Sequence, residues 1–137
     1  MAPLPAFHAD TTSPTLPPGT SAITIVSSGD GPIGEVVLHG SYRVLEADRA
    51  RLGPATIRHQ IWLVAIQRKP RAVFRGRAAA EGVVFAEEEP EHGDVQGWFH
   101  VLLAPAARIP AKEFGLYDIT AVLGPLRSPP LAVTLRR

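Results

Sequence analysis

The sequence predicts an all-β protein, an antiparallel two-sheet β-sandwich of seven to nine strands with Greek-key connections. Three observations predict it. From Ser21 onward apolar residues recur at every second position, the period of strands that bury one face and wet the other. Clusters of Gly, Pro, Ser and Asp interrupt the alternation at short intervals, as turns do. Only Leu45 to Leu52 is made of good helix formers, and Gly53-Pro54 stops it after about two turns.

The elements follow in order. Residues 1 to 20 contain Pro3, Pro5, Pro14, Pro17 and Pro18 among Ser and Thr, which predicts an extended, peripheral and flexible arm ahead of a β domain over 21 to 137. Ile23 and Ile25 flank Thr24 in a first strand, broken by the run from Ser27 to Pro32. From Glu35 to Val44, Val36, Leu38, Tyr42 and Val44 share one face, while Glu35, His39, Ser41 and Arg43 lie on the other, read as wet. After the helical piece, His59 to Gln67 reads as a long central strand, with Trp62, Val64 and Ile66 in one phase and Ile61, Leu63 and Ala65 in the other. Lys69-Pro70 then turns the chain.

Arg71 to Arg77 and Val83 to Glu89 match as a hairpin around Ala79 to Gly82, with Phe74 in phase with Val83 and Phe85, and Arg75 and Arg77 in phase with Val84 and Glu88. Glu91 to Asp94 is a loop. Trp98 to Leu103 is a strand with Phe99, Val101 and Leu103 in one phase; Ala104-Pro105 ends it, and residues 106 to 114 cross over. In the closing pair Tyr117, Ile119, Ala121 and Leu123 alternate with Asp118 and Thr120, Gly124-Pro125 turns, and Leu131, Val133 and Leu135 alternate again.

That closing pair resembles the last two strands of bacterial immunoglobulin-like and fibronectin type III-like domains. Tyr117 is similar to the tyrosine-corner residue of the class, and Trp62 to its core tryptophan. The resemblance spans residues 21 to 136 as a strand count and the last third of the chain as a motif. The cysteine pair of antibody domains is absent, the helical piece at 45 to 52 is extra, and a jelly roll would alternate in nearly the same way. Such sandwiches serve as adhesins, spacers, chaperones and assembly modules, so the resemblance carries over a fold and no site residue.

Composition excludes several chemistries. The 137 residues contain no cysteine, so disulfides, thiolate metal sites and cysteine nucleophiles are ruled out, and there is no asparagine to carry an N-linked glycan. The apolar runs are too short for a membrane-spanning helix. The amino terminus lacks the basic and apolar regions of a secretory signal, from which a cytoplasmic location is expected. A net charge of +1 implies no long-range field favouring nucleic acid or an anionic membrane.

Candidate sites are few. The acidic run Glu87-Glu88-Glu89-Pro90-Glu91-His92-Gly93-Asp94 has oxygen ligands for a hard cation but no EF-hand spacing, and reads as a solvated loop that blunts a strand edge. Arg75 and Arg77, in the basic segment from Arg68, lie on the face opposite Phe74; ring and cations thus do not combine into a stacking site for nucleic acid. His8, His39, His59, His92 and His100 show no zinc spacing, and Ser41 near His39 lacks a nucleophile elbow and a third partner. Trp98 lies opposite in phase to Phe99. It either faces outward beside His100 as a contact surface, or is covered by a loop or the proline arm; alternation does not choose. The expectation is therefore a non-catalytic structural or protein-interaction module, self-associating or binding another protein, without cofactor, nucleic acid or membrane. Its candidate surface comprises Trp98, His100, Arg75 and Arg77. The second reading is a small-ligand or carbohydrate-binding module built on Trp98, and the remotest is an enzyme whose residues converge only in three dimensions.

Overall fold

The alternating segments become strands in two sheets. The computed structural model describes residues 14–52, 57–79, 84–88 and 93–137, the stretch 84–88 as backbone. Their strands are β1 (Ala22–Ser27), β2 (Gly31–Pro32), β3 (Val37–Val44), β4 (Ile61–Gln67), β5 (Val73–Arg77), β6 (Val84–Glu88), β7 (Val95–Leu102), β8 (Gly115–Leu123), β9 (Leu126–Arg127) and β10 (Leu131–Arg136). The helices are α1 (Glu46–Arg49), prolonged by a 3₁₀ turn over Ala50–Leu52, and α2 (Leu103–Ala107), with another 3₁₀ turn at Ile57–Gln60. The protein is thus all-β with little helix.

The first sheet has the order β1-β3-β7-β6, and the second the order β2-β10-β8-β4-β5 with β9 beside β8. Pairing is antiparallel except between β2 and β10. One core cluster draws on both sheets: Ile23, Leu38, Tyr42 and Phe99 from the first, and Leu63, Tyr117, Ile119 and Leu135 from the second. Each fully buried aliphatic side chain contributes about 1.5–3 kcal/mol of transfer free energy, so this shared cluster is the main force joining the sheets.

Two glycines make room for aromatic rings across β3 and β7. Gly40 stands opposite Phe99 and Gly97 opposite Tyr42. A Cβ on Gly40 would lie 2.2 Å from the Phe99 ring, and one on Gly97 would lie 2.4 Å from that of Tyr42. Each ring lies over the bare backbone of its partner, which covers a strand glycine that has no side chain of its own to pack.

In the closing pair, Tyr117, Ile119, Ala121 and Leu123 alternate as buried residues along β8, as the sequence predicts. The Tyr117 hydroxyl donates to the Glu113 carbonyl at 2.6 Å. Ser128 closes the β8–β9 turn twice: its backbone N–H donates to the Ala121 carbonyl, and its buried Oγ accepts from the Ala121 N–H at 2.8 Å. The short helix at 46–52 is found where its sequence places it, held by Asp94, whose carboxylate accepts from the Glu46 N–H, and by Ser21, whose hydroxyl accepts from the Leu45 N–H. Its Gly53-Pro54 stop lies outside the described residues.

Several expectations are corrected. Segments 71–77 and 83–89 do not form a hairpin: β5 pairs with β4 in the second sheet and β6 with β7 in the first. The turn at Lys69-Pro70, a cis peptide, brings β5 back along β4, and the Gln67 N–H to Ala72 carbonyl bond closes it. Having used its partner, the chain crosses to the other sheet. The strand expected from His59 begins at Ile61, after the 3₁₀ turn. Leu103, expected as a strand end, opens α2; Pro105 fits in the first turn because its missing N–H has no intrahelical acceptor there. Arg108, with φ of 60°, ends that helix in the left-handed region. The face of β3 read as wet is largely covered, since Ser41 is buried and His39 half-buried. Of the arm, residues 1–13 lie outside the described ones, and the Pro17 carbonyl accepts a hydrogen bond from Arg43.

Candidate functional site, an arginine-rimmed sheet face

Trp62, similar by resemblance to a core tryptophan, stands at the surface, and of the two places that alternation leaves open to Trp98 the structure has the covered one. Trp98 is 5% exposed and buried outside the main core cluster, on the outer side of the first sheet. Its ring lies 4.7 Å from that of His100, which in turn meets His39 edge-on at 4.4 Å. Trp98 and His100 are thus neighbours, as alternation implies, but in an aromatic strip whose tryptophan is buried and whose histidines are half-buried. Trp98 offers no open ring to a sugar.

Trp62 is 37% exposed. Its strand β4 buries Ile61, Leu63 and Ala65 inward and turns Trp62, Val64 and Ile66 away from the core. Register extends this outer face across three strands: Trp62 stands between Arg77 of β5 and Val122 of β8, Val64 between Arg75 and Thr120, and Ile66 between Val73 and Asp118. Ile66 is 36% exposed and Val73 59%. The result is an apolar strip on the open side of the second sheet.

Arginines rim the strip. The Arg77 guanidinium lies over the Trp62 ring at 5.1 Å, a cation–π contact that holds ring and charge together. Arg68 forms a two-point pair with Asp118, its Nε and Nη2 donating at 3.0 and 2.8 Å, and this hydrogen bonding holds the Asp118 carboxyl below its ordinary range. Arg75, Arg108 and Arg127 have no acidic partner among the described residues. A groove of about 430 Å³ is lined by Trp62, Val64, Arg75, Val122 and Arg127; a second, of about 250 Å³, runs from Trp62 over Gly76 and Arg77 to Pro105, Ala106 and Arg108. Trp62 is the wall common to both.

Of the residues singled out by sequence, Arg75 and Arg77 lie on this face, while Trp98 and His100 lie on the other sheet. Trp62, Ile66 and Val73 were missed as surface residues. The signal was present in the short connection at Lys69-Pro70, since consecutive strands joined by a tight turn usually pair, and pairing β5 with β4 puts the arginines beside Trp62. Among the described residues no three His, Asp or Glu side chains form a metal-binding group; of the acidic run, residues 89–92 lie outside them and Glu87 and Glu88 are described as backbone alone. No described helix is long and apolar enough to cross a membrane. No protein-family model, curated protein or solved structure matches the chain.

Proposed function

We propose that the chain is a non-catalytic protein-interaction module, an immunoglobulin-like β-sandwich that docks an acidic, partly apolar partner on the outer face of its second sheet. The observation that carries this reading is the exposed strip of Trp62, Ile66 and Val73 beside Arg75, Arg108 and Arg127, which have no acidic partner among the described residues. Such a strip combines the aromatic and arginine anchors that dominate protein interfaces.

Strand order supports the sandwich. Lettered by length and sequence, β1, β3, β7 and β6 correspond to strands A, B, E and D, while β10, β8, β4 and β5 correspond to G, F, C and C′, the division of an immunoglobulin-like Greek key. The bond from Tyr117 to the backbone upstream of its strand supports it further. A structural use of the polar groups supports the non-catalytic reading: Ser128 closes a turn, Gln67 donates to the Phe114 carbonyl, and Ser41 is buried beside Trp98.

Calorimetric titration of the full chain tests the reading with three probes: acidic peptides carrying leucine and phenylalanine, matched peptides with lysine for glutamate, and a single-stranded oligonucleotide. The acidic peptides are expected to bind, and Trp62→Ala or the pair Arg75→Ala/Arg77→Ala to weaken them at least tenfold. Equal binding of acidic and basic peptides, or binding of the oligonucleotide alone, overturns the reading.

A further inference from the structure

We infer that the acidic partner of the Trp62 face binds in extended form, adding itself as an antiparallel strand to the open edge of β5. The inference rests on the docking-face reading above and adds how the partner is held and what sequence pattern it carries. Among the described residues β5 is the terminal strand of the second sheet and pairs with β4 alone. The ends of that pairing fix which backbone groups it uses. The Gln67 N–H donates to the Ala72 carbonyl and the Ala78 N–H to the Ile61 carbonyl, and both couples continue the register of the two strands. In an antiparallel ladder, hydrogen-bonded couples alternate with unbonded ones. Phe74 and Gly76 therefore turn their backbone groups toward β4, whereas those of Val73, Arg75 and Arg77 point away from it.

Those outward groups find no backbone partner among the described residues, and all three residues are exposed. The same three carry their side chains on the Trp62 face, so the open edge and the rim of the docking face are one strand. An open edge is a template for another strand, and charged side chains ordinarily guard it. Arginines guard it against a basic strand, whose charges would stand directly opposite their own, and admit an acidic one. The helix α2 meets the core side of β5, where Gly76 has no side chain: a Cβ there would lie 1.9 Å from the Ala106 carbonyl oxygen. In the groove of about 250 Å³ beside Gly76 and Arg77, Arg108 stands on the wall as a further cation.

Register then gives the pattern of the partner. Read antiparallel to β5, its residues opposite Arg77, Arg75 and Val73 follow at every second position. The fit is acid, acid and apolar at i, i+2 and i+4, all on one face of the extended segment. Main-chain bonds to Val73, Arg75 and Arg77 hold such a segment, and its alternate side chains select it. A helical partner would meet the arginines but leave the edge groups unpaired.

Calorimetric titration and amide hydrogen exchange of the full chain test this with three short peptides of one sequence, glutamate at the second and fourth residues, leucine at the sixth and threonine or valine between. The first is unmodified. The second is N-methylated at its second, fourth and sixth residues, whose N–H groups would face β5, and the third at its third and fifth, whose N–H groups would face away. The unmodified peptide and the third are expected to bind alike, and the second at least tenfold more weakly. In the complex the amides of Val73, Arg75 and Arg77 should exchange at least tenfold more slowly, while those of Phe74 and Gly76, already turned to β4, change least. Equal binding of the two methylated peptides, or unchanged exchange at Val73, Arg75 and Arg77, overturns the inference and leaves the docking face standing. An unmodified peptide that fails where other acidic peptides bind does the same. If no acidic peptide binds, the docking face is lost and strand addition with it.

Discussion

Tyr117 shows what one side chain does at the junction of chemistry and packing. Its ring is fully buried, and its hydroxyl donates to the Glu113 carbonyl at 2.6 Å. Burial, with the nearby Glu113 carboxylate second, pushes its pKa up to about 12. An unfolded tyrosine ionises near pH 10, so above that value the unfolded chain releases a proton that the folded chain keeps. The stability from this group is complete below about pH 10 and is lost as pH rises through the folded value. In urea titrations the wild type should therefore lose more stability between about pH 10 and 12 than Tyr117→Phe does. Parallel curves for the two proteins would refute the assignment. At neutral pH, removing the hydroxyl should cost about 0.5–1.5 kcal/mol, the usual net value of such a bond.

Elements are joined by pairs that complete one another across strands. Gly40 and Phe99, and Gly97 and Tyr42, fit only because one member of each pair has no side chain. Gly40→Ala should destabilise the fold by about 1–3 kcal/mol, the typical cost of overpacking, read from the urea midpoint. Gly34→Ala is the control, since a Cβ there meets nothing within 4 Å, and its effect should stay within about 0.5 kcal/mol. A Gly40→Ala midpoint no lower than that of Gly34→Ala would contradict the packing described. The strands themselves were mostly legible, because alternation marks Ile23 and Ile25, Leu38 to Val44, and Tyr117 to Leu123 as half-buried. Their partners were less so. The phases of β5 and β6 agree with a hairpin that does not form, since matching of side chains says that two strands could pair, while the tight turn at Lys69-Pro70 gives β5 to β4.

For the whole molecule, charge and exposure act together. Trp62 stands open among arginines while Trp98 is covered, so an anionic quencher should reach the fluorescence of Trp62 more readily than a cationic one. Iodide is expected to quench more strongly than caesium at low ionic strength, with the difference narrowing as salt is added and disappearing in Trp62→Phe. Equal quenching by both ions would remove the electrostatic basis of the docking face. The same field would steer an acidic partner toward this face before contact, so charge neutralisation should slow association as well as weaken it.

By itself the sequence determined that the chain is built of strands, which residues of each strand share a face, and that Arg75 and Arg77 lie opposite Phe74, because a period of two follows from the pleat of the backbone alone. Only the tertiary structure decided which of the two faces of a strand meets solvent. Trp62 and Trp98 each stand opposite in phase to the core residues beside them, yet one is open at 37% exposure and the other closed at 5%. Local alternation says which residues share a face and carries no information on what covers that face.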